Sequence, residues 1–192
     1  MKKRYLTTIL AIVSLCVSAE RGGRSVECFD YDWQFHLTME KGAEQQAGPK
    51  LQEAVSGWET VQLPDDWSIH MIPDSRLTGC NGHLRGGVGE YKKTFSVPAS
   101  DKGKAVSVIF DGIYNRSDVY INGHHLGFRP YGFVQIEYDL TPYLNYGKSN
   151  EIYVRVNNPS ANDSIARWYT GSGIYRHAWL VKRNPVHIKT NG

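Results

Sequence analysis

The second half of the chain alternates apolar and polar residues with a period of two, and turn-forming residues interrupt this alternation repeatedly. Val106, Val108 and Phe110 share one face, which is the spacing of a half-buried strand. Asn122-Gly123 is a strong hairpin signal, because both residues tolerate positive φ. No amphipathic helical period separates these stretches, so they predict an all-β, antiparallel β-sandwich. The candidate strands are 91–97, 104–110, 118–121, 125–128, 133–140, 152–156 and 174–181.

Two segments carry more detailed expectations about burial. In candidate strand 133–140, the alternate residues from Val134 to Leu140 are predicted to point inward, and Glu137 and Asp139 outward. The segment 41–57 is polar and lacks an apolar repeat. We therefore expect 41–57 to be a surface excursion.

Length and composition exclude several classes of protein. A chain of 192 residues can form one domain with a substantial core. Twelve Tyr, five Trp and 19 Gly favour short strands and turns, and this aromatic content argues against disorder. No apolar run reaches the roughly 18 residues that a membrane-spanning helix needs.

The net charge of +3 comes from the first residues of the chain. Lys2, Lys3 and Arg4 account for it, and the remaining basic and acidic side chains are equal in number. A neutral domain has no overall electrostatic attraction for nucleic acid or an anionic membrane. Nucleic acid is therefore not an expected partner.

Residues 1–19 resemble an export signal, with basic residues, an apolar stretch at 6–17 and small residues up to Ala19. Two alternatives stay open, a buried first helix and a lipoprotein signal that uses Cys16. The expected mature chain is a single domain, 20–192, in the periplasm or secreted. Cys28 and Cys80 remain in it, and they either pair in that oxidising setting or stay as buried thiols.

Neither the histidines nor the carboxylates indicate a catalytic or metal site. The seven His show no ligand spacing, and His124 and His125 are consecutive and would point to opposite faces of a strand. Asp65-Asp66 follows Pro64, where short acids typically accept backbone hydrogen bonds. We therefore predict no metal, no cofactor and no catalytic residue.

The stretch 157–176 is the most informative for function. Polar turn formers lead into Arg167, Trp168 and Tyr169, and then into Gly171-Ser172-Gly173. Aromatic rings can stack on the apolar face of a sugar while an Arg or Asp bonds its hydroxyls. The competing interpretation is that Trp168 and Tyr169 only cover the end of the core.

Six motifs in chain order resemble the amino-terminal sugar-binding domain of glycoside hydrolase family 2, the β-galactosidase and β-glucuronidase family, in its exported bacterial form. Together they span nearly all of 20–192. They are FDYDW at 29–33, VQLPDDWS at 61–68, GGVGEYKKTFSVP at 86–98, DGIYNRSDVYINGHHLG at 111–127, YGFVQIEYDLT at 131–141 and RWYTGSGIYRHAWL at 167–180.

The resemblance implies a galactose-binding-like jelly roll that binds carbohydrate within a larger glycosidase. In that family both catalytic glutamates lie on a (β/α)₈ barrel, which follows an immunoglobulin-like domain. The resemblance therefore implies that the domain has these two as partners and that this chain alone does not hydrolyse glycosides. A free-standing carbohydrate-binding module and a fragment without independent activity are the alternatives.

The resemblance also assigns candidate binding residues. Trp168 and Tyr169 are expected to form walls of a sugar pocket, with polar contacts from Arg167 and Asp163. Arg167 stands where the family's galactosidases and glucuronidases have an Asp. Because Arg donates hydrogen bonds and Asp accepts them, recognition of that sugar hydroxyl must differ, and Asp163 is a candidate substitute. Asp65 and Glu90 also depart from the usual His and Trp.

Overall fold

A computed structural model describes residues 23–39, 41, 43–77, 79, 82–158 and 168–190. Ten strands and one short helix lie within them. The strands are β1 Arg24–Cys28, β2 Trp33–Thr38, β3 Glu59–Val61, β4 Gly87–Ser96, β5 Ala105–Phe110, β6 Ser117–Ile121, β7 His124–Arg129, β8 Ile136–Asp139, β9 Ser149–Asn158 and β10 Ala178–Arg183, and the helix is α1 Gln52–Ser56. Short 3-10 helices span Glu44–Gln46, Pro49–Leu51, Trp67–His70, Ala99–Asp101 and Thr141–Tyr143.

The strands form two antiparallel sheets, which confirms the predicted jelly-roll β-sandwich. One sheet has four strands in the order β1-β10-β5-β8, and the other has six in the order β3-β2-β4-β9-β6-β7. The longest pairing joins β4 to β9 over ten residues, from Gly87 opposite Asn158 to Ser96 opposite Ser149. Only β2 with β3 and β6 with β7 are paired strands that follow each other in the described sequence, so the turns alone do not determine the fold.

Aromatic residues fill the space between the sheets. Trp33, Phe35 and Tyr91 have no exposed surface, and Trp67 packs beside them at 5.7 Å from the Phe35 ring. Phe110 enters from the four-stranded sheet, with its ring centroid 6.3 Å from that of Trp33. Each of these large side chains contributes on the order of 2 kcal/mol or more by leaving water.

Three predicted segments differ from the structure. Strand β8 is shorter than 133–140, and Val134 is exposed rather than buried, because the chain is still in a loop there. Ile174 is fully buried but precedes β10, which begins at Ala178. The FDYDW motif, which the resemblance matches to an opening strand, instead connects β1 to β2, and its Trp33 is the first residue of β2.

The segment 41–57 is not a simple surface excursion. Leu51 and Ala54 reach the core, and Gln46 is buried as well. The expectation was wrong because the apolar residues here are held by 3-10 turns and a five-residue helix, which are too short to show a periodic pattern.

Strand register places several connections at the same end of the sandwich. Strand β4 begins where β9 ends, and β10 begins where β5 ends, since Ala178 lies opposite Phe110. Phe110 also lies opposite Ile136, the first residue of β8. The connections that meet at this end include 84–86, 111–116, 130–135 and 168–177.

Within the described residues, no helix is both long enough and apolar enough to span a bilayer. The proposed signal at 1–19 and Cys80 lie outside the described residues, so the export and disulfide predictions stay predictions.

Candidate functional site

Asp66 is the centre of the candidate site, because its carboxylate accepts three hydrogen bonds, one from the neighbouring turn and two from a segment more than 100 residues away. Its Oδ1 accepts from the backbone N–H groups of Ser68, at 3.0 Å, and Ser172, at 2.9 Å. Its Oδ2 accepts from the hydroxyl of Tyr169 at 2.6 Å. As the N-cap of the 3-10 helix Trp67–His70, Asp66 performs the turn role that its sequence context predicted. It also ties the segment 168–173 to that turn.

Two buried serines and an asparagine also hold the segment 168–173 against the turn at Trp67–His70. The hydroxyls of Ser68 and Ser172 are 2.5 Å apart, and the amide of Asn158 donates to the Ser172 hydroxyl at 2.5 Å. The same amide lies 3.3 Å from the carbonyl oxygen of Gly171. Because Asn158 is the last residue of β9, the strand end and the returning segment are held against each other.

Two glycines allow the returning segment to approach this closely. Gly171 has φ +73°, and a Cβ there would lie 2.8 Å from Oδ2 of Asp66. Gly173 has φ +105°, and a Cβ there would lie 2.3 Å from the hydroxyl oxygen of Tyr91. Both the backbone conformation and the lack of space therefore require glycine.

Asp65 lies beneath this turn with an unusual protonation equilibrium. Burial raises the pKa of Asp65 to about 6, although the Tyr91 hydroxyl, which donates to Oδ2 at 2.6 Å, opposes this shift. Its backbone N–H donates to the carbonyl of Ile174 at 2.8 Å. Asp65 thus supports the turn from inside, and its carboxyl is turned to Tyr91 instead of to a ligand.

A small cleft opens beside Tyr169. Its lining includes Ser68, Arg85, Asn158 and Thr170, and its volume is about 20 Å³. This is room for roughly one water molecule, so a sugar ring would lie across the mouth of the cleft and not inside it. The guanidinium of Arg85 is held there through Gln46 and Asp74.

The predicted site residues fall into two groups. Tyr169 lines the cleft, and Trp168 precedes it in sequence; 46% and 74% of their surfaces are exposed. Neither side chain is therefore part of the buried core. Burial of its hydroxyl and the bond to Asp66 raise the pKa of Tyr169, so the phenol stays neutral. Asp163 and Arg167 lie outside the described residues.

Sequence reasoning missed Arg85 and Asn158. Asn158 stood among the polar turn formers, and only the pairing of β9 with β4 shows that it ends a strand. Arg85 immediately precedes the glycine-rich motif at 86–98, a position with no chemical pattern of its own.

Two other observations concern possible ligands. Within the described residues, no group of three His, Cys, Asp or Glu side chains is arranged to hold a metal ion. A larger cavity of about 390 Å³ lies at the other end of the four-stranded sheet. Its buried Arg183 already donates to Glu137 at 2.6 Å and Ser107 at 2.8 Å, so those polar groups are satisfied within the protein.

Residues 26–184 match the family model for the sugar-binding domain of family 2 glycosyl hydrolases. This chain belongs to that family. As a family 2 sugar-binding domain, it is similar to the β-galactosidase BoGH2A of Bacteroides ovatus, with 44% identity over 167 residues. That alignment covers 83% of this chain but 18% of the relative. A putative β-glucuronidase of Formosa agariphila is 35% identical across this whole chain, which again spans 18% of it.

Solved structures place the same fold inside larger enzymes. A β-glycosidase from Bacteroides vulgatus superposes with a TM-score of 0.71 at 40% identity, covering 85% of this chain and 21% of that one. A family 2 β-glucuronidase gives a TM-score of 0.71 at 31% identity, with 90% and 19% covered. The family 2 sugar-binding domain described here therefore spans about a fifth of the length of these relatives.

Proposed function

We propose that the cleft beside Tyr169 frames the terminal sugar of a β-glycoside, and that other domains of a longer glycosidase cleave the bond. The observation that carries this proposal is the combination of a fixed Tyr169 that lines the cleft and a strongly exposed Trp168 next to it in sequence. An exposed aromatic ring offers an apolar face on which a sugar can stack.

The chemistry of the cleft suits a sugar. An indole face stacks on the C–H groups of a pyranose, while its hydroxyls need both donors and acceptors. Thr170 and Asn158, which line the cleft, supply side chains that both donate and accept. The shallow cleft encloses no ring by itself, which is consistent with a site that a second domain completes.

Hydrolysis is assigned to the parent enzyme and not to this chain. Retaining glycosidases use two carboxyl groups about 5 Å apart across the scissile bond. At this cleft, Asp66 already accepts three hydrogen bonds and Asp65 is turned towards Tyr91. The relatives named β-galactosidase and β-glucuronidase support β-glycosides as the substrate class.

Export of the protein is part of the same proposal. Support comes from the basic residues Lys2 to Arg4 and the apolar stretch that follows them. A periplasmic or secreted location would place the domain where polymeric glycans are met.

Binding by the purified chain tests the proposed site. Methyl β-galactoside and methyl β-glucuronide are titrated while the indole N–H signals are followed by NMR, and a dissociation constant on the order of 1 mM is expected. Trp168→Ala should abolish the shifts, whereas Trp58→Ala, the same change at an exposed Trp that immediately precedes β3, should not. No shift with either sugar, or unchanged binding by Trp168→Ala, would overturn the proposed site.

A second assay tests the prediction that this chain alone does not hydrolyse glycosides. The chain is incubated with nitrophenyl β-galactoside, and no turnover is expected. Turnover that disappears when a carboxylate of this chain is replaced would show that the chain itself is the enzyme.

A further inference from the structure

An ionisable side chain that makes no sugar contact lies under the segment 168–173. Asp65 is partly exposed as a residue, but its carboxyl faces inward, where Oδ2 accepts from the hydroxyl of the fully buried Tyr91 at 2.6 Å. The backbone of Ile174 hydrogen-bonds the same hydroxyl, and its carbonyl oxygen accepts from the backbone N–H of Asp65 at 2.8 Å. Asp65 and Tyr91 therefore connect the turn before Trp67 to the end of this segment.

The segment 168–173 covers Asp65 and Tyr91 closely. A Cβ at Gly173 would lie 2.3 Å from the hydroxyl oxygen of Tyr91 and 2.8 Å from the carbonyl oxygen of Asp65. Gly173 is thus in contact with both residues and leaves no room for water between them. The carboxyl of Asp65 can regain full hydration only when this cover moves away.

The cover is held by hydrogen bonds and not by a buried apolar face. Tyr169 and the backbone N–H of Ser172 donate to Asp66, and the backbone N–H of Gly173 donates to the carbonyl oxygen of Tyr114 at 2.8 Å. The same short segment carries the exposed Trp168. A movement that uncovers Asp65 therefore also moves the aromatic wall of the cleft.

The groups around Asp65 disfavour its ionisation while the cover is closed. The titratable and charged neighbours of Asp65 and Asp66 are Tyr91 on β4, Glu59 on β3, Glu53 on α1, His70 at the end of the 3-10 helix Trp67–His70, and Lys50 in the 3-10 helix Pro49–Leu51. Burial and the charge of Asp66 raise the pKa of Asp65 to about 6, whereas the Tyr91 hydroxyl lowers it. Glu59 is a further negative neighbour.

Hydration of Asp65 removes this penalty. In an arrangement with the cover lifted, the carboxyl returns to its ordinary pKa of 3.8, so ionisation favours the lifted arrangement over the closed one. Values of 3.8 and about 6 for the two arrangements raise the ratio of lifted to closed molecules about tenfold between pH 5 and pH 7.

We propose that the segment 168–173 is a pH-sensitive wall of the cleft, closed over Asp65 in acid and lifted more often as Asp65 ionises. The movement itself needs no ligand, but its consequence for sugar rests on the proposed function. Because Trp168 and Tyr169 move with the segment, only the closed molecules present a complete site. The apparent affinity for sugar therefore falls in proportion to the closed fraction as pH rises.

Amide hydrogen exchange of the purified chain without sugar measures this movement directly. The backbone N–H groups of Ser172 and Gly173 are hydrogen-bonded in the closed arrangement, so they exchange when the segment lifts. Their protection factors, which are corrected for the intrinsic effect of pH, should fall about tenfold from pH 5 to pH 7. They should also stay below those of amides at the centre of β9, such as Val154, which exchange by global unfolding. Protection equal to that of Val154 at both pH values would overturn the proposal, because no local movement would remain.

Four variants identify the responsible group. Asp65→Asn should make both protection factors independent of pH, because the amide does not ionise. Tyr91→Phe removes the hydroxyl that favours the ionised carboxyl, so the fall in protection should continue to higher pH. Glu59→Gln and His70→Gln remove the neighbouring groups that also titrate, and both should keep the fall. A fall that survives Asp65→Asn, ends at the same pH in Tyr91→Phe, or disappears with His70→Gln would assign the movement to another group and overturn the proposal.

Sugar titrations distinguish failure of this inference from failure of the proposed site. The methyl glycosides should bind more weakly at pH 7 than at pH 5, by the factor that the exchange data give for the closed fraction, and equally at both pH values in Asp65→Asn. A pH-dependent fall in protection without sugar binding at either pH would reject the sugar site and keep the movement. Sugar binding with pH-independent protection would do the reverse.

Discussion

The hydroxyl of Tyr169 donates to Oδ2 of Asp66 at 2.6 Å, although the two residues are 103 positions apart in sequence. Tyr169 follows the exposed Trp168, and Asp66 begins the 3-10 helix Trp67–His70. The bond therefore fixes one wall of the candidate sugar site to the body of the sandwich. Substitutions that break this bond are therefore expected to move Trp168 even when they remove no contact with the sugar.

Removing the Tyr169 hydroxyl should weaken sugar binding more than it weakens the fold. Tyr169→Phe keeps the ring but deletes a hydrogen bond to a carboxylate, which is worth about 1 to 2 kcal/mol in a partly exposed setting. Denaturant unfolding should show at most that loss, while the indole signal of Trp168 should shift and titrate more weakly with sugar. Tyr143→Phe at the other end is the control. An unchanged Trp168 signal would contradict the role given to this bond.

Asp65 should make stability depend on pH in the acidic to neutral range. Because its folded pKa of about 6 lies above the ordinary value of 3.8, its contribution is fully present below pH 3.8 and is lost as pH rises through 6. Asp65→Asn should therefore gain stability relative to the unchanged chain between pH 4 and pH 7, by up to about 3 kcal/mol. The measurement is urea unfolding at both pH values. Equal pH profiles for Asp65→Asn and the unchanged chain would disprove the effect.

Gly103 and Gly173 have similar positive φ angles, so replacing each by Ala separates the cost of backbone strain from the cost of a steric clash. Gly103 has φ +95° and a Cβ there would meet no atom within 4 Å, so Gly103→Ala should cost about 1 kcal/mol from the backbone alone. Gly173→Ala adds contact with the Tyr91 hydroxyl and the Asp65 carbonyl, and should cost several kcal/mol more. Thermal unfolding of both variants measures the difference. Equal losses of stability would mean that the backbone around Gly173 can shift to make room for the added methyl group.

The individual strands could be predicted because their sequence signals are local. The alternation along β9 is visible in the sequence, and Asn122-Gly123 is a strong signal for the hairpin between β6 and β7. The short turns of 41–57 were misjudged because Leu51 and Ala54 are buried without a repeating pattern. Periodicity detects regular elements and not single anchoring residues.

The exposed residues of the candidate site could be predicted from the sequence, whereas the hydrogen bonds that hold them in place could not. Trp168 and Tyr169 stand out by residue type after a run of turn formers. The attachment of Ser172 to Asp66 and Asn158 depends on contacts between segments far apart in sequence, which no spacing rule reveals. Asp65 and Asp66 are adjacent in sequence, but they have different partners. Asp65 accepts from the buried Tyr91 hydroxyl, whereas Asp66 accepts from the backbone of the turn, and the sequence alone does not distinguish these roles.

The paired anchoring of Asn158 and Ser172 has a consequence for how such a protein can change. Asn158 is held by strand pairing with β4, and Ser172 by the hydrogen bond from its backbone N–H to Asp66. Because the Asn158 amide also donates to the Ser172 hydroxyl, a substitution at either residue removes a support of the other, so the two positions are expected to vary together.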